Sequence, residues 1–207
     1  MARSRPVNDG EALGIEAFRR LAAYAVGDTE PGLTDAEFDR IERDFGFTFA
    51  DDHRAFLTAG LPVNSGIPPP EPGVYYTHDR PWPDWRHDPA EVLLPFLTWP
   101  AAGVLTSVER GGWHPFWGSR PADHAIALEV AKARLAEVPV MVPLYGHRYL
   151  PAGRGSWGRA VLSMWGTDII YYGNDLADYI AREFGPPRID TIEPHPDATP
   201  AFWRYYL

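Results

Sequence analysis

Hydrophobic residues recur at helical spacing near both ends of this chain, and in its middle they form short runs separated by glycine and proline. The short runs predict strands over residues 140–144, 148–150, 160–165 and 169–172, because β-branched and aromatic residues dominate them. The last two runs flank Gly166-Thr167-Asp168, a glycine-containing turn typical of a β-hairpin. A glycine-rich loop, 152–158, precedes this hairpin.

The clearest helix signal starts at Thr34. Thr34 and Glu37 have the spacing of a capping box, and Leu33 before the cap can pack on Phe38 as a hydrophobic staple. Such a cap contributes about 1 kcal/mol. The pattern therefore predicts a helix that Gly46 ends.

Six further helices are predicted from apolar spacing and capping residues. They span 11–26; the residues after an Asp51 cap; the residues from an Asp88 cap toward Trp99, with a kink or end at Pro95; 121–138; the residues after Asn174 or Asp175, up to Gly185; and a short aromatic helix after Thr199-Pro200. Residues 103–109 and 74–78 are predicted as strands. We interpret 27–32 as a linker, 64–73 as a surface loop and 80–88 as irregular.

Strands followed by a helix favour an α+β fold. We predict a single domain with a mainly antiparallel, twisted sheet and helices packed on one face. Residues 1–32 would form an N-terminal helical extension, 33–185 the α+β domain, and 186–207 a tail that docks its aromatic residues on the domain.

Three stretches carry a family resemblance: YGHRYLP with SMWGTDIIYYGNDLADYI, LTDAEFDRIERDFGFTFADDHRAFLTAGLP, and WPDWRHDP. They resemble the SUKH superfamily, the group around the fungal cell-wall-assembly regulators of Smi/Knr type, and its actinobacterial branch in particular. The resemblance covers roughly residues 33–184. It implies the SUKH fold and a binding function, since many members resemble immunity proteins that neutralise polymorphic toxins, often nucleases. It implies neither an enzymatic activity nor a cofactor.

The charge balance argues against nonspecific nucleic-acid binding. The chain has 28 acidic and 19 basic side chains, a formal net charge of −9, whereas nucleic-acid binding needs a basic surface. A negative field would speed the encounter with a basic protein partner, although many cytosolic proteins are equally acidic.

The chain has no cysteine, which excludes disulfides, thiolate metal sites and cysteine nucleophiles. The N-terminal residues lack the apolar core of a signal peptide, and we find no run of 18 apolar residues. We therefore expect a cytoplasmic protein without a membrane partner, as a monomer or weak dimer.

Two nucleotide-binding motifs occur without their structural context. Residues 153–158 match G-x-G-x-x-G, but a strand follows where a dinucleotide-binding loop would open a helix. A kinase loop would need a lysine on the next strand, and no lysine follows. Asp44-Phe45-Gly46 precedes the loop, at a helix end. We expect no cofactor.

Metal and hydrolase sites are also weakly indicated. The histidines lack the i, i+4 spacing of a zinc helix, and Ser156 lacks the flanking glycines of a nucleophile elbow. Glu109, Asp123 and Asp168 are candidates for paired carboxylates only because they are acidic, and Asp168 is more simply a turn residue.

Aromatic and charged residues in two loops, 74–88 and 111–120, form the predicted binding surface. Exposed indoles are costly unless a partner covers them, and Trp, Tyr and Arg dominate interface hot spots. The alternative is that these rings are buried and cover a small hydrophobic core beneath the loops. His147-Arg148-Tyr149 lies beside the loops, and Arg148 either pairs with a buried carboxylate or offers its planar donor fork to a ligand. The predicted partner-binding residues are Trp82, Asp84, Trp85, Arg86, Asp88, Trp113, His114, Trp117, His147, Arg148, Tyr149 and Tyr172, with Phe116 alongside and Asp79 helping to steer a basic partner.

These observations favour a noncatalytic protein-binding module, of the immunity or regulatory-adaptor kind, that occludes a partner such as a basic toxin. The alternatives are a small-ligand-binding protein or hydrolase with a site around Arg148 and His114, and a self-associating structural protein. Converging polar groups in a cleft would favour the small-ligand-binding protein or hydrolase.

Overall fold

The structure, a computed structural model, describes residues 9–66 and 80–207. Seven α-helices and six strands lie within these ranges. In chain order they are α1 (Asp9–Ala23), β1 (Asp28–Glu30), α2 (Asp35–Phe45), α3 (Asp51–Ala59), β2 (Leu61–Val63), α4 (Ala90–Glu109), α5 (His124–Leu135), β3 (Met141–Tyr145), β4 (Arg148–Pro151), β5 (Val161–Trp165), β6 (Asp168–Gly173), α6 (Leu176–Phe184) and α7 (Ala201–Arg204).

The central sheet is a four-stranded antiparallel meander in the order β3-β4-β5-β6. Its four strands confirm the four that the middle of the sequence predicts. The predicted hairpin is β5–β6, and its turn has two residues rather than three because Asp168 pairs with Trp165. Gly166 takes a left-handed conformation in that turn, with φ 64°, which glycine adopts without strain.

Both faces of this sheet are buried, by two different cores. Neighbouring residues of β5 point to opposite faces, so Val161 belongs to one core and Leu162 to the other. The first core joins the sheet to α1, α2, α3, α6 and the start of α4, and the second joins it to the later part of α4, the end of α5 and α7. The predicted class, a single α+β domain, is confirmed. The expectation that helices cover one face only is wrong, because side chains on both faces are apolar and need cover.

Helix α1 lies in the predicted N-terminal extension and packs on α3 and α6, with Ala17 and Leu21 in the first core. Residues 28–30, within the predicted linker, form β1 and pair with β2. The predicted strand 74–78 and most of the predicted loop 64–73 lie outside the described residues. The C-terminal tail docks as expected, with Phe202 and Trp203 buried in the second core.

The predicted capping box at Thr34 is confirmed. The Glu37 N–H donates to the Thr34 hydroxyl at 3.3 Å, and the Thr34 N–H donates to the Glu37 carboxylate at 2.7 Å. Asp175 likewise caps α6 by accepting from the Asp178 N–H at 2.8 Å.

The predicted cap at Asp51 is wrong, since Ala50 precedes α3 and Asp51 lies in its first turn. The carboxylates of Asp51 and Asp52 instead hold the glycine-rich loop. Asp51 accepts from the Gly155 N–H and Asp52 from the Gly158 N–H, both at 2.9 Å. The loop therefore connects β4 to β5 in a fixed position across the start of α3.

Helix α4 replaces a predicted short helix and a predicted strand over 103–109. It continues through Pro95 and Pro100, although proline lacks the N–H that bonds the carbonyl four residues earlier. For Pro100 that carbonyl is Phe96, and it accepts a hydrogen bond from the buried Tyr149 hydroxyl at 3.2 Å. A tertiary contact thus satisfies the backbone group that Pro100 leaves unpaired.

The start of α4 also differs from prediction, because Pro89 is the capping residue and the Asp88 carboxylate binds Arg80 instead. Among the described residues, α4 is the one helix whose length and apolar composition would also suit a membrane span. In the structure its Leu93 belongs to the first core and its Val104 to the second.

Asp52 makes stability depend on pH. Burial raises the pKa of its carboxyl to about 6, against 3.8 for the unperturbed group, despite hydrogen bonds from Gly158 and His53. The folded chain therefore holds this proton more tightly than the unfolded chain does. The contribution, about 3 kcal/mol at most, is full below pH 3.8 and is lost as the pH rises to about 6.

We expect Asp52→Asn to flatten this part of the pH profile, because the amide does not ionise. Urea unfolding between pH 4 and pH 7 measures the effect. The unfolding free energy of the natural chain should fall relative to that of the variant across this interval. Parallel curves for the two proteins would contradict the assignment.

Candidate protein-binding groove

Trp82 and Trp85 lie in the interior, which corrects the expectation that loop 80–88 presents them at the surface. Their exposed fractions are 6% and 1%. The Trp85 indole contacts a group of phenylalanine rings from α2 and the residues after it, and Trp82 stacks on Phe184 with ring centroids 5.8 Å apart. The Asn64 amide pairs with both backbone groups of Trp82 and fixes this segment. Neither indole has a surface to offer a partner in this structure.

The charged residues of the same segment are engaged within the domain. Arg86 binds Glu37 at 2.6 Å and Glu30 at 2.7 Å. The Arg86 guanidinium, followed by the Thr34 N–H, lowers the pKa of Glu37 to about 2. Asp84 accepts hydrogen bonds from the backbone N–H groups of Arg86 and His87.

The Asp88 carboxylate is buried and lies 3.0 Å from the Arg80 guanidinium. Burial raises its pKa, although Arg80 opposes the shift. Asp84 and Asp88 therefore have partners within the fold, and Asp79 lies outside the described residues. Two of the three acidic residues that were expected to steer a partner therefore hold this segment in place.

The second predicted loop, 111–120, is partly exposed. His114 is buried and stacks on Phe202 at 4.4 Å, while its two ring nitrogens contact the Phe116 N–H and the Phe202 carbonyl. Burial lowers the pKa of His114. Trp113 and Trp117 are half-buried and pack on each other with centroids 5.1 Å apart. Phe116 is 69% exposed, so this loop does present an aromatic ring to solvent.

Arg148 has the structural ion pair that was one of its two predicted roles. Its guanidinium lies 3.7 Å from the centre of the Tyr172 ring, and its Nε lies 3.7 Å from the Glu183 carboxylate. Burial raises the pKa of Glu183, against the influence of Arg148. Tyr149 is buried on the opposite face of the sheet, and His147 is half-buried, 5.7 Å from Trp165 between ring centroids.

The structure does not assemble the alternative site around Arg148 and His114. Arg148 packs with Glu183 and Tyr172 on the side of the first core, whereas His114 packs with Phe202 in the second. The sheet separates them.

A groove that the sequence analysis did not identify lies between α4 and the end of the β5–β6 hairpin. Its volume is about 650 Å³. Its base is a backbone contact, since a Cβ atom at Gly103 would lie only 2.5 Å from the Gly166 Cα. It continues past Ser107 and Thr167 into a second cavity of about 240 Å³, which is lined by Trp113, His114, Tyr205 and Tyr206 among others.

Two indoles line this groove. Trp165, at the end of β5, is 54% exposed, and its ring lies 5.3 Å from the ring of Trp99 on α4. Arg110 and Asp168 line the same groove, and neither side chain forms a hydrogen bond or ion pair with any other part of the described chain. The groove therefore combines exposed aromatic surface with one unpaired charge of each sign.

Sequence reasoning missed this groove because it divided α4. With 103–109 assigned to a strand, Trp99 and the residues just before Arg110 would not belong to one helix, whereas in the structure α4 runs from Ala90 to Glu109 and Arg110 follows it directly. The sequence suggested two roles for Asp168, as one of a pair of catalytic carboxylates or as a turn residue that accepts a hydrogen bond from a nearby N–H. No such hydrogen bond occurs within the described residues. The sequence signal that could have indicated the groove is Trp165, an indole at the last position before a hairpin turn.

Within residues 9–66 and 80–207 no group of three or more histidine or acidic residues could hold a metal ion. Comparisons of the chain with family models, with curated proteins and with solved structures find no significant match.

Because Trp85 is a core residue, we expect Trp85→Ala to destabilise the fold by about 3–5 kcal/mol, the usual cost of truncating a buried aromatic residue. Truncation of an indole at the surface, where Trp85 was predicted to lie, would instead leave the fold intact. Urea unfolding measures it, with Trp157→Ala as the matched control, because Trp157 is 45% exposed. Equal losses in the two variants would contradict the assignment.

Gly103→Ala tests the backbone contact at the base of the groove. In an unconstrained helix this change stabilises by about 1 kcal/mol. Here the new methyl group would meet the Gly166 backbone, so we expect a loss of about 1–3 kcal/mol, as in other overpacked sites. Urea unfolding checks the sign, and Thr106→Ala, an exposed position on the same helix, serves as control. Stabilisation by Gly103→Ala would show that the two backbones can separate freely.

Proposed function

We propose that this chain is a noncatalytic protein-binding module and that the groove between α4 and the β5–β6 hairpin is its contact surface. The observation that carries the proposal is Trp165, a half-exposed indole packed on Trp99 inside an open groove. Tryptophan and arginine dominate the binding energy of interfaces, and an exposed indole leaves apolar surface in water until a partner covers it.

The surface around the groove supports the same function. Between Glu91 and Glu109 helix α4 carries no charged side chain, yet Leu94 is 45% exposed. At the other end Phe116 and Tyr205 are exposed next to the second cavity. Depletion of charge and enrichment of aromatic residues is the composition found at the centre of protein interfaces.

His114 supports binding over hydrolysis. It is the histidine that lines the second cavity, and both of its ring nitrogens are engaged by backbone groups. A general base needs a ring nitrogen directed at the proton that it removes.

The finer proposal is a partner-occluding role of the immunity or regulatory-adaptor kind. The resemblance over residues 33–184 and the net charge of −9 support it, and a basic toxin is one candidate partner. A small-ligand-binding function is the second candidate, because 650 Å³ lies within the usual range for small-molecule sites and two unpaired charges line it.

Affinity capture with matched variants tests the proposal. The natural chain, Trp165→Ala and Trp157→Ala are immobilised, and the proteins retained from a lysate of the native cell are quantified by mass spectrometry. We expect a partner retained by the natural chain and by Trp157→Ala, and reduced about tenfold or more by Trp165→Ala, as for a hot-spot residue. Circular dichroism checks that each variant is folded. Equal retention by all three proteins, or no protein retained by any, would refute the groove as a protein-binding surface.

A further inference from the structure

An exposed indole and an unpaired carboxylate lie side by side at the end of the β5–β6 hairpin. Trp165 and Asp168 are register partners, separated by a two-residue turn. Side chains directly opposite each other in an antiparallel pair lie on the same face, with Cβ atoms about 4.5–5.5 Å apart. Trp165 is 54% exposed, and Asp168 is exposed and unpaired within the described residues.

These two groups are the ones that attract an organic cation. An indole face has a negative quadrupole that binds an ammonium or guanidinium group, and a carboxylate adds charge and hydrogen-bond acceptors. Two more rings extend the wall, since Trp99 and His147 lie 5.3 Å and 5.7 Å from the Trp165 ring. The net charge of the chain, −9, also favours the approach of a cation.

Arg110 sets where a cation can bind. It lines the same groove, but it forms no ion pair with Asp168. Its positive charge disfavours a second cation beside it and favours a carboxylate or carbonyl of the same ligand. The Trp165 end of the groove is therefore suited to a cation of the ligand. The Arg110 end is suited to a hydrogen-bond acceptor of the ligand, and we call it the acceptor subsite.

We propose that the groove binds an arginine or lysine side chain of the protein partner, held against the Trp165 indole and paired with the Asp168 carboxylate. The inference rests on the proposed function and specifies its partner. A protein segment fits better than a free cation, because the groove continues into the second cavity and offers an acceptor subsite as well. A guanidinium group suits the site especially well, since it stacks on an indole and bonds a carboxylate with its planar fork.

The test follows the indole N–H resonance of Trp165 by two-dimensional NMR, assigned from its loss in Trp165→Phe. The probes are acetyl-Gly-Arg-Gly-amide and the corresponding citrulline peptide, which has nearly the same shape without the charge. We expect the arginine peptide to shift the resonance saturably in the millimolar range. The citrulline peptide should give a shift at least fivefold smaller at equal concentration.

Asp168→Asn should weaken the arginine peptide at least threefold. Asp39→Asn, which changes the net charge equally at an exposed site on α2, should leave the affinity unchanged. Equal shifts from the two peptides, no shift from either, or an equal effect of both substitutions would overturn the inference.

The two proposals can fail separately. If Trp165→Ala loses the captured partner but the arginine peptide does not shift Trp165, the protein-binding function stands and the cation site at Trp165 is wrong. If the peptide binds through Asp168 but capture is unchanged in Trp165→Ala, the cation site stands and its assignment to a protein partner is wrong.

Discussion

Burial of both faces of the four-stranded sheet is the constraint on which the rest of this fold depends. Residues 161–164 of β5 are all buried, with Val161 in the first core and Leu162 and Met164 in the second. The chain therefore has to cover each face separately. The first face receives α1, α2, α3, α6 and the start of α4, whereas the second receives the later part of α4, the end of α5 and the four-residue helix α7. Trp165, at the hairpin end, belongs to neither core and is 54% exposed, and the groove lies between this end and α4.

Local signals in the sequence predicted the parts of the fold that local interactions form. The capping box at Thr34 and the turn after Trp165 involve residues a few positions apart, so their patterns are sufficient. Helix α4 is different, because Pro95 predicts an interruption, and the contact that compensates for the missing N–H of Pro100 comes from Tyr149, far along the chain. No local pattern carries that information.

The predicted site shows the same division. The chain contains eight tryptophans, but composition does not distinguish a buried indole from an exposed one. Trp82 and Trp85 lie in an irregular, proline-rich segment that resembles an exposed loop, yet Asn64 and Arg40 fix its backbone and the core takes up both rings. The proposed function still relies on aromatic contacts and on charge steering. The proposed surface is now the groove instead of loop 80–88. The groove lies next to Trp113 and His114, which belong to the predicted surface.

The contact between Gly103 and Gly166 has a consequence for the proposed binding surface. Because the two main chains approach each other there, the backbone itself fixes the spacing of the groove walls at this point. Arg110, Trp165 and Asp168 are exposed and lie outside both cores, so they can be substituted on this frame, whereas Trp99 also packs on the second core. If the groove binds a partner as proposed, substitutions at these three positions would change its contact chemistry and leave the backbone frame in place.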